Sequence, residues 1–180
     1  NGEIKVITGI RRCGKSVLLF DLFFEYLLSQ NVSEDHILKI ELDQRRYYKF
    51  RNPITLCEYV ESAVLDKKDD KFYLFIDEVQ LTTKVVDKEN GGIEVTIYDM
   101  LNELKAYKNL DVYVTGSNSK GLSKDIATEF RGRATQIHVF PLSFAEFYSA
   151  VGGDERKALD IYMLYGGMPR LLALEDDREK

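Results

Sequence analysis

The sequence predicts an α/β fold in which a five-stranded, mainly parallel sheet lies between two layers of helices. Short apolar or β-branched runs alternate with helical patterns along the chain, which is the order that parallel sheets with right-handed crossovers require. One run, at residues 72–76, is almost wholly apolar and is bounded by charge, as expected of a strand buried on both faces. A glycine-containing loop also joins the first predicted strand to the first predicted helix.

The predicted strands are short and end at glycine, proline or acidic residues, which favour loops at those points. They cover residues 4–8, 36–42, 72–76, 111–115 and 135–140. The predicted helices cover residues 15–30, a segment from Pro53 to the charged run 66–71, a stripe from Ile97 to Tyr107, and residues 143–150 and 154–164. Residues 82–96 include two adjacent glycines among polar side chains, which indicates a polar surface excursion.

Composition excludes several classes of protein. Of the 180 residues, 44% are hydrophobic and 31% charged, and no apolar run approaches the roughly 18 residues that a membrane-spanning helix needs. The net charge of -5 does not support nucleic acid as a partner, although a local basic patch remains possible. Two cysteines and no signal-peptide pattern predict a cytoplasmic protein, and a start without Met together with a charged end predicts a fragment of a longer one.

Residues 9–16, GIRRCGKS, match the phosphate-loop pattern G-x-x-x-x-G-K-[ST] at every fixed position. The motif lies between a predicted strand and a predicted helix, where backbone N–H groups and a helix N-terminus converge on an anion. We expect Lys15 to reach the β and γ phosphates and the Ser16 hydroxyl to bind Mg²⁺. An ordinary glycine turn with an exposed lysine is the alternative, and the pattern and its context disfavour it. The predicted nucleotide-binding residues are Gly9, Ile10, Arg11, Arg12, Cys13, Gly14, Lys15, Ser16 and Val17.

The buried strand at 72–76 is followed by Asp77 and Glu78. An acidic residue at the end of a strand beside the phosphate loop can hold the Mg²⁺ shell, and a second carboxylate can take the proton of an attacking water. We assign Asp77 the first role and Glu78 the second. The alternative is a strand that simply ends in solvated acids.

These motifs, with the strand end Val114-Thr115-Gly116-Ser117-Asn118, resemble P-loop ATPases of the AAA+ type. The resemblance implies a P-loop NTPase three-layer α/β/α sandwich, ATP and Mg²⁺ as ligands, and a polar sensor of the γ-phosphate at Ser117 or Asn118. Further motifs, ending in Tyr165-Gly166-Gly167-Met168-Pro169, are similar to those of bacterial and archaeal predicted ATPases whose AAA+-like module precedes a C-terminal domain of uncertain role. This second similarity implies an ATPase core at residues 1–142 and a helical extension at 143–180, which would be the start of a truncated C-terminal part.

Arginines after the sensor strand are candidates for contact with phosphate, from the same subunit or from a neighbour in a homo-oligomer. Arg133 is the main candidate, Arg131 and Arg170 are weaker ones, and solvated arginines are the alternative. The predicted function is Mg²⁺-dependent ATP hydrolysis that drives or switches an attached domain or partner. A non-hydrolysing, nucleotide-dependent interaction module is the main alternative, and a small-molecule kinase is a third. ATP is preferred to GTP on the resemblance and because no N-K-x-D run is present.

Overall fold

The structure is a computed structural model that describes residues 3–88, 91–116 and 134–173. Its strands are β1 (Ile4–Thr8), β2 (Ile37–Glu41), β3 (Phe72–Asp77), β4 (Val85–Asp87), β5 (Ile93–Val95), β6 (Leu110–Thr115) and β7 (Ala134–His138). Its helices are α1 (Lys15–Val17, Leu18–Phe23 and Phe24–Ser29, in continuous succession), α2 (Pro53–Val64), α3 (Ile97–Leu104), α4 (Phe144–Val151) and α5 (Glu155–Tyr165). Single 3₁₀ segments occupy Glu34–His36, Arg45–Arg51, Val79–Leu81 and Pro169–Ala173.

Five strands form one sheet in the order β2-β3-β6-β1-β7, and every pairing in it is parallel. The predicted five-stranded sheet is therefore confirmed, with each strand close to its predicted position. Because parallel strands end at the same edge, the carboxyl ends of β1, β3 and β6 lie together there. The phosphate loop after β1 thus faces the acidic pair after β3 across the end of β6.

Side chains of the sheet alternate between two apolar layers. On one face, Val6 and Leu74 belong to the larger cluster, to which α2 and α3 contribute. On the other face, Ile7 and Phe75 pack with side chains of α1. This arrangement is the expected three-layer α/β/α sandwich.

Helix α1 begins inside the phosphate-loop motif and runs to Ser29, one residue short of the predicted end. Its middle segment, Leu18–Phe23, has π-helical hydrogen bonding, which the sequence pattern did not predict. Phe20 and Phe23 from this segment contact Phe75, with ring centroids 5.9 and 5.6 Å away. The first helix is thereby held against the middle of the sheet by aromatic contacts.

The structure adds strand pairing to the surface excursion predicted at residues 82–96. Within it, β4 and β5 form an antiparallel hairpin in which Val85 pairs with Val95. Val95 is buried, and Lys84 forms a 2.9 Å ion pair with Glu94. Strands of three residues are too short to show alternation in sequence, so only their pairing reveals them.

The chain after β7 connects the sheet to the helical pair α4 and α5. A capping box is present at the start of α4, where the Ser143 and Glu146 side chains each accept a hydrogen bond from the other's backbone N–H. Leu142 N–H donates to Gly167 O at 2.7 Å, and Tyr162 Oη donates to Leu142 O at 2.8 Å. These bonds join the end of α5 to the segment that leaves the sheet. Across the described ranges, no helix has the length and apolar character needed to cross a membrane.

Candidate nucleotide-binding site

The phosphate loop leaves the end of β1 in a conformation that only glycine adopts easily. Gly9 has a φ of 151°, and a Cβ there would overlap Val139 O and lie 2.7 Å from Cys13 Sγ. Gly14 has a φ of 100° and immediately precedes α1. The two fixed glycines of the motif therefore meet a backbone requirement as well as a pattern.

Lys15 lies across its own loop. Its side chain is buried, and Nζ donates to Gly9 O at 3.0 Å and to Ile10 O at 2.9 Å. No carboxylate of the described residues lies within ion-pair distance of Nζ. The ammonium is thus held by neutral carbonyl groups, which phosphate oxygens can replace as acceptors.

Ser16 and Asp77 are brought together by the fold, as the sequence predicted for a Mg²⁺ site. Ser16 Oγ donates to Asp77 Oδ2 at 2.8 Å, and Asp77 is 6% exposed. A hydroxyl and one carboxylate are oxygen ligands of the kind that Mg²⁺ takes when substrate phosphates and waters complete its shell. The donor set therefore fits the magnesium ion that a phosphate loop of this type uses.

Thr115, the last residue of β6, completes the site and was not identified as a functional residue from the sequence. Its hydroxyl donates to Asp77 Oδ1, and it is fully buried. Thr115 Oγ1 also accepts a hydrogen bond from Glu78 N–H at 3.3 Å. The available signal is the register of β6 on β3, which pairs Val114 with Ile76 and so sets Thr115 beside Asp77.

Glu78 has a strained backbone at the point where β3 ends. Its φ and ψ of 55° and 49° lie in the left-handed region, which side chains other than glycine adopt rarely. Its N–H also donates to Asp77 Oδ1 at 3.2 Å, and its Oε2 accepts from Gln80 Nε2. Such strain is concentrated at functional sites, where surrounding contacts enforce it.

Lys15, Ser16 and Glu78 border one cavity of about 490 Å³, a size typical of small-molecule sites. The cavity is lined by Arg11, Arg12, Gly14, Lys15, Ser16, Val17, Glu78, Pro169 and Arg170. Four of these nine side chains are cationic and one is anionic, so the cavity suits a polyanion. Arg12, like Glu78, is a non-glycine residue with a positive φ, here 69°.

Arg170 reaches the site from the far end of the chain, in the 3₁₀ turn Pro169–Ala173 after α5. It was only a weaker candidate in the sequence, because nothing local links it to the loop. The structure does place it at the cavity. Ser117, Asn118, Arg131 and Arg133 lie outside the described residues, so their predicted roles stay predictions.

The parallel sheet and a phosphate loop that faces Asp77 and Glu78 define a P-loop ATPase module of the AAA+ type. A family model described as "AAA domain" matches residues 1–148, and the chain belongs to that family. Membership supports nucleotide binding together with a divalent metal ion.

Two curated relatives are similar over almost the whole chain. An uncharacterized protein of Haemophilus influenzae is 31% identical over an alignment of 178 residues that covers 96% of this chain and 41% of the relative. An uncharacterized protein of Methanocaldococcus jannaschii is 30% identical over 194 residues, covering 99% of this chain and 38% of the relative. The chain thus spans about two fifths of the length of these relatives.

Solved AAA+ structures share the fold at low sequence identity. PCH-2 of C. elegans superposes with a TM-score of 0.55 and 14% identity, covering 98% of this chain and 42% of PCH-2. The ORC2 protein of Aeropyrum pernix, solved as ADPNP–ADP complexes, gives a TM-score of 0.50 and 12% identity over 88% of this chain and 46% of ORC2. At these identities the similarity shows the fold alone.

Proposed function

We propose that this module binds ATP with Mg²⁺ and hydrolyses it, and that hydrolysis drives or switches an attached domain or partner. The observation that carries the proposal is the 2.8 Å hydrogen bond from Ser16 to Asp77, set beside Lys15 and Glu78 at one cationic cavity. The phosphate-binding and water-activating groups that hydrolysis needs are present together.

Each residue has a proposed part in the reaction. Lys15 exchanges its two loop carbonyls for phosphate oxygens and so balances their charge. Ser16 and Asp77 would hold the magnesium ion, which would supply positive charge to stabilise the phosphates during hydrolysis. Glu78 accepts the proton of the attacking water.

Arginines would supply further positive charge, which balances the negative charge that develops on the phosphates during hydrolysis. Arg170, which lines the cavity, would act within the chain, and Arg133 would act in the same subunit or across a homo-oligomer. Ser117 or Asn118 would contact the γ-phosphate. ATP as the nucleotide rests on family membership.

The attached domain is proposed from the length of the relatives, of which this chain spans about two fifths. The remaining length of such proteins is available for a C-terminal domain on which the ATPase module acts. The acidic net charge of -5 gives no support to nucleic acid as the direct partner of this segment.

The test measures Mg²⁺-dependent ATP and GTP binding by calorimetry and phosphate release in the same samples. We expect Lys15→Ala to lower ATP affinity at least about tenfold and Glu78→Gln to keep ATP binding while turnover falls at least about 100-fold. Glu25→Gln, an exposed change on α1, is the control and should match the unmodified protein.

Three outcomes would each contradict part of this proposal. Stoichiometric ATP binding without phosphate release, also in longer protein with its partners, would favour the non-hydrolysing interaction module. Undiminished turnover in Glu78→Gln would refute the role given to that carboxylate. An ADP yield that depends on an added acceptor would indicate a kinase instead.

A further inference from the structure

We infer that Gln80 is a positioning residue for Glu78, which keeps that carboxylate aimed into the nucleotide cavity. The side-chain amide of Gln80 donates from Nε2 to Glu78 Oε2. Glu78 lines the cavity, whereas Gln80 is an exposed residue of the turn that follows Glu78. The inference rests on the proposed function, because it assigns a task to the residue proposed as the base.

The turn that carries Gln80 is firmly held. Val79 is 1% exposed and belongs to the larger apolar cluster, so it fixes the centre of the turn to the core. Leu81 N–H donates to Glu78 O at 2.8 Å, and Thr82 Oγ1 donates to Val79 O at 2.8 Å. The backbone of Gln80 is therefore held in place relative to that of Glu78.

The backbone of Glu78 is fixed just as closely on its other side. Its N–H lies between Asp77 Oδ1 and Thr115 Oγ1, and its φ of 55° is maintained by these contacts. The backbone alone still leaves the rotatable bonds of the glutamate side chain unspecified. The contact with Gln80 selects one of those arrangements.

The chemistry of an amide suits this task. A neutral N–H donor can orient a carboxylate oxygen without placing a compensating charge beside it. A lysine or arginine at the same place would form an ion pair and weaken the base, and a carboxylate would repel it. Glutamine thus orients the group without removing its capacity to accept a proton.

The test compares Gln80→Ala and Gln80→Glu with Gln30→Ala, a matched change at an exposed glutamine that follows α1. We expect kcat for ATP to fall about tenfold in Gln80→Ala and further in Gln80→Glu, with KM and ATP affinity unchanged within about twofold. Gln30→Ala should keep every value. In a Glu78→Gln background, Gln80→Ala should produce no additional loss, because the two residues act as a unit.

A second readout does not need turnover. The side-chain amide signal of Gln80, assigned in the ¹H–¹⁵N spectrum by its loss in Gln80→Ala, should move toward the position of a solvated glutamine in Glu78→Ala. An amide signal that stays in place in Glu78→Ala would overturn the inference, whatever the rates.

The kinetic outcomes separate the two claims. Full kcat in Gln80→Ala together with lost turnover in Glu78→Gln would overturn this inference and leave the proposed function standing. Full turnover in Glu78→Gln would refute the role of Glu78 as the base and this inference with it, whereas ATP binding without phosphate release in the unmodified protein would count against the proposed function. A fall in melting temperature and a rise in KM, with kcat unchanged, would show that Gln80 has only a structural role.

Discussion

Two aspartates on neighbouring strands of the sheet have opposite kinds of hydrogen-bond partner, charged at one and neutral at the other. Asp111, at the start of β6, forms ion pairs with Lys5 at 2.8 Å and with Lys71 at 3.1 Å. Asp77, at the end of β3, is bonded by the hydroxyls of Ser16 and Thr115 and by a backbone N–H. Within the described part of the chain, no cation lies within ion-pair distance of Asp77.

The difference distinguishes a structural carboxylate from the one that we propose as a Mg²⁺ ligand. At Asp111 the protein supplies the compensating charge itself, so the group is complete without a ligand. At Asp77, which is only 6% exposed, neutral donors orient a negative charge that is suited to a cation from outside. A buried carboxylate with oriented oxygens and neutral partners is thus a better indication of a metal site than burial or charge alone.

The largest effect that this comparison predicts is on catalysis. We expect Asp77→Asn to lower phosphate release at least about 100-fold and to remove the dependence of nucleotide binding on Mg²⁺. The melting temperature without nucleotide should not fall, because an uncompensated charge has been removed. Asp43→Asn, an exposed change that follows β2, serves as the control. Unchanged phosphate release in Asp77→Asn would remove the basis for treating the two aspartates differently.

A smaller effect, on stability instead of activity, is expected at Asp111. Asp111→Asn leaves Lys5 and Lys71 without their carboxylate and should lower the free energy of unfolding by about 1–2 kcal/mol. For a chain of this length that corresponds to a melting temperature lower by roughly 4 °C. ATP turnover per folded molecule should stay the same, and a selective loss of turnover would contradict the structural role.

The smallest predicted effect is the acid dependence of that stability. Burial on its own raises the pKa of Asp111, but the hydrogen bonds and charges of Lys5 and Lys71 outweigh it and leave the pKa below its usual value of 3.8. Stability from a depressed pKa is present above the unfolded value and is lost as the pH falls through the folded one. The melting-temperature difference between the unmodified protein and Asp111→Asn should therefore hold at pH 6 and shrink below about pH 4. A difference as large at pH 3 as at pH 6 would contradict the assignment.

The sequence predicted what depends on local pattern. The sheet strands follow from apolar runs, and the meeting of Ser16 with Asp77 follows from a motif whose loop must face the next acidic strand end. Contacts that depend on register or on distant packing were out of reach. Thr115 acts through its pairing position beside β3, and Arg170 reaches the cavity from a turn after α5. The contact between Gln80 and Glu78 occurs with a left-handed backbone at Glu78, and the residue types in this segment do not predict that conformation.

The segment between β7 and α4 is enclosed by two glycines that are far apart in the chain. A Cβ on Gly9 would overlap Val139 O, and a Cβ on Gly167 would overlap Leu142 O. Both glycines are thus required by backbone contact, whatever part Gly9 also has in binding phosphate. During evolutionary divergence we therefore expect a descendant that has lost Lys15, and with it nucleotide use, to retain both glycines. Their persistence in a sequence would indicate inherited architecture, whereas Lys15 and Glu78 would indicate retained activity.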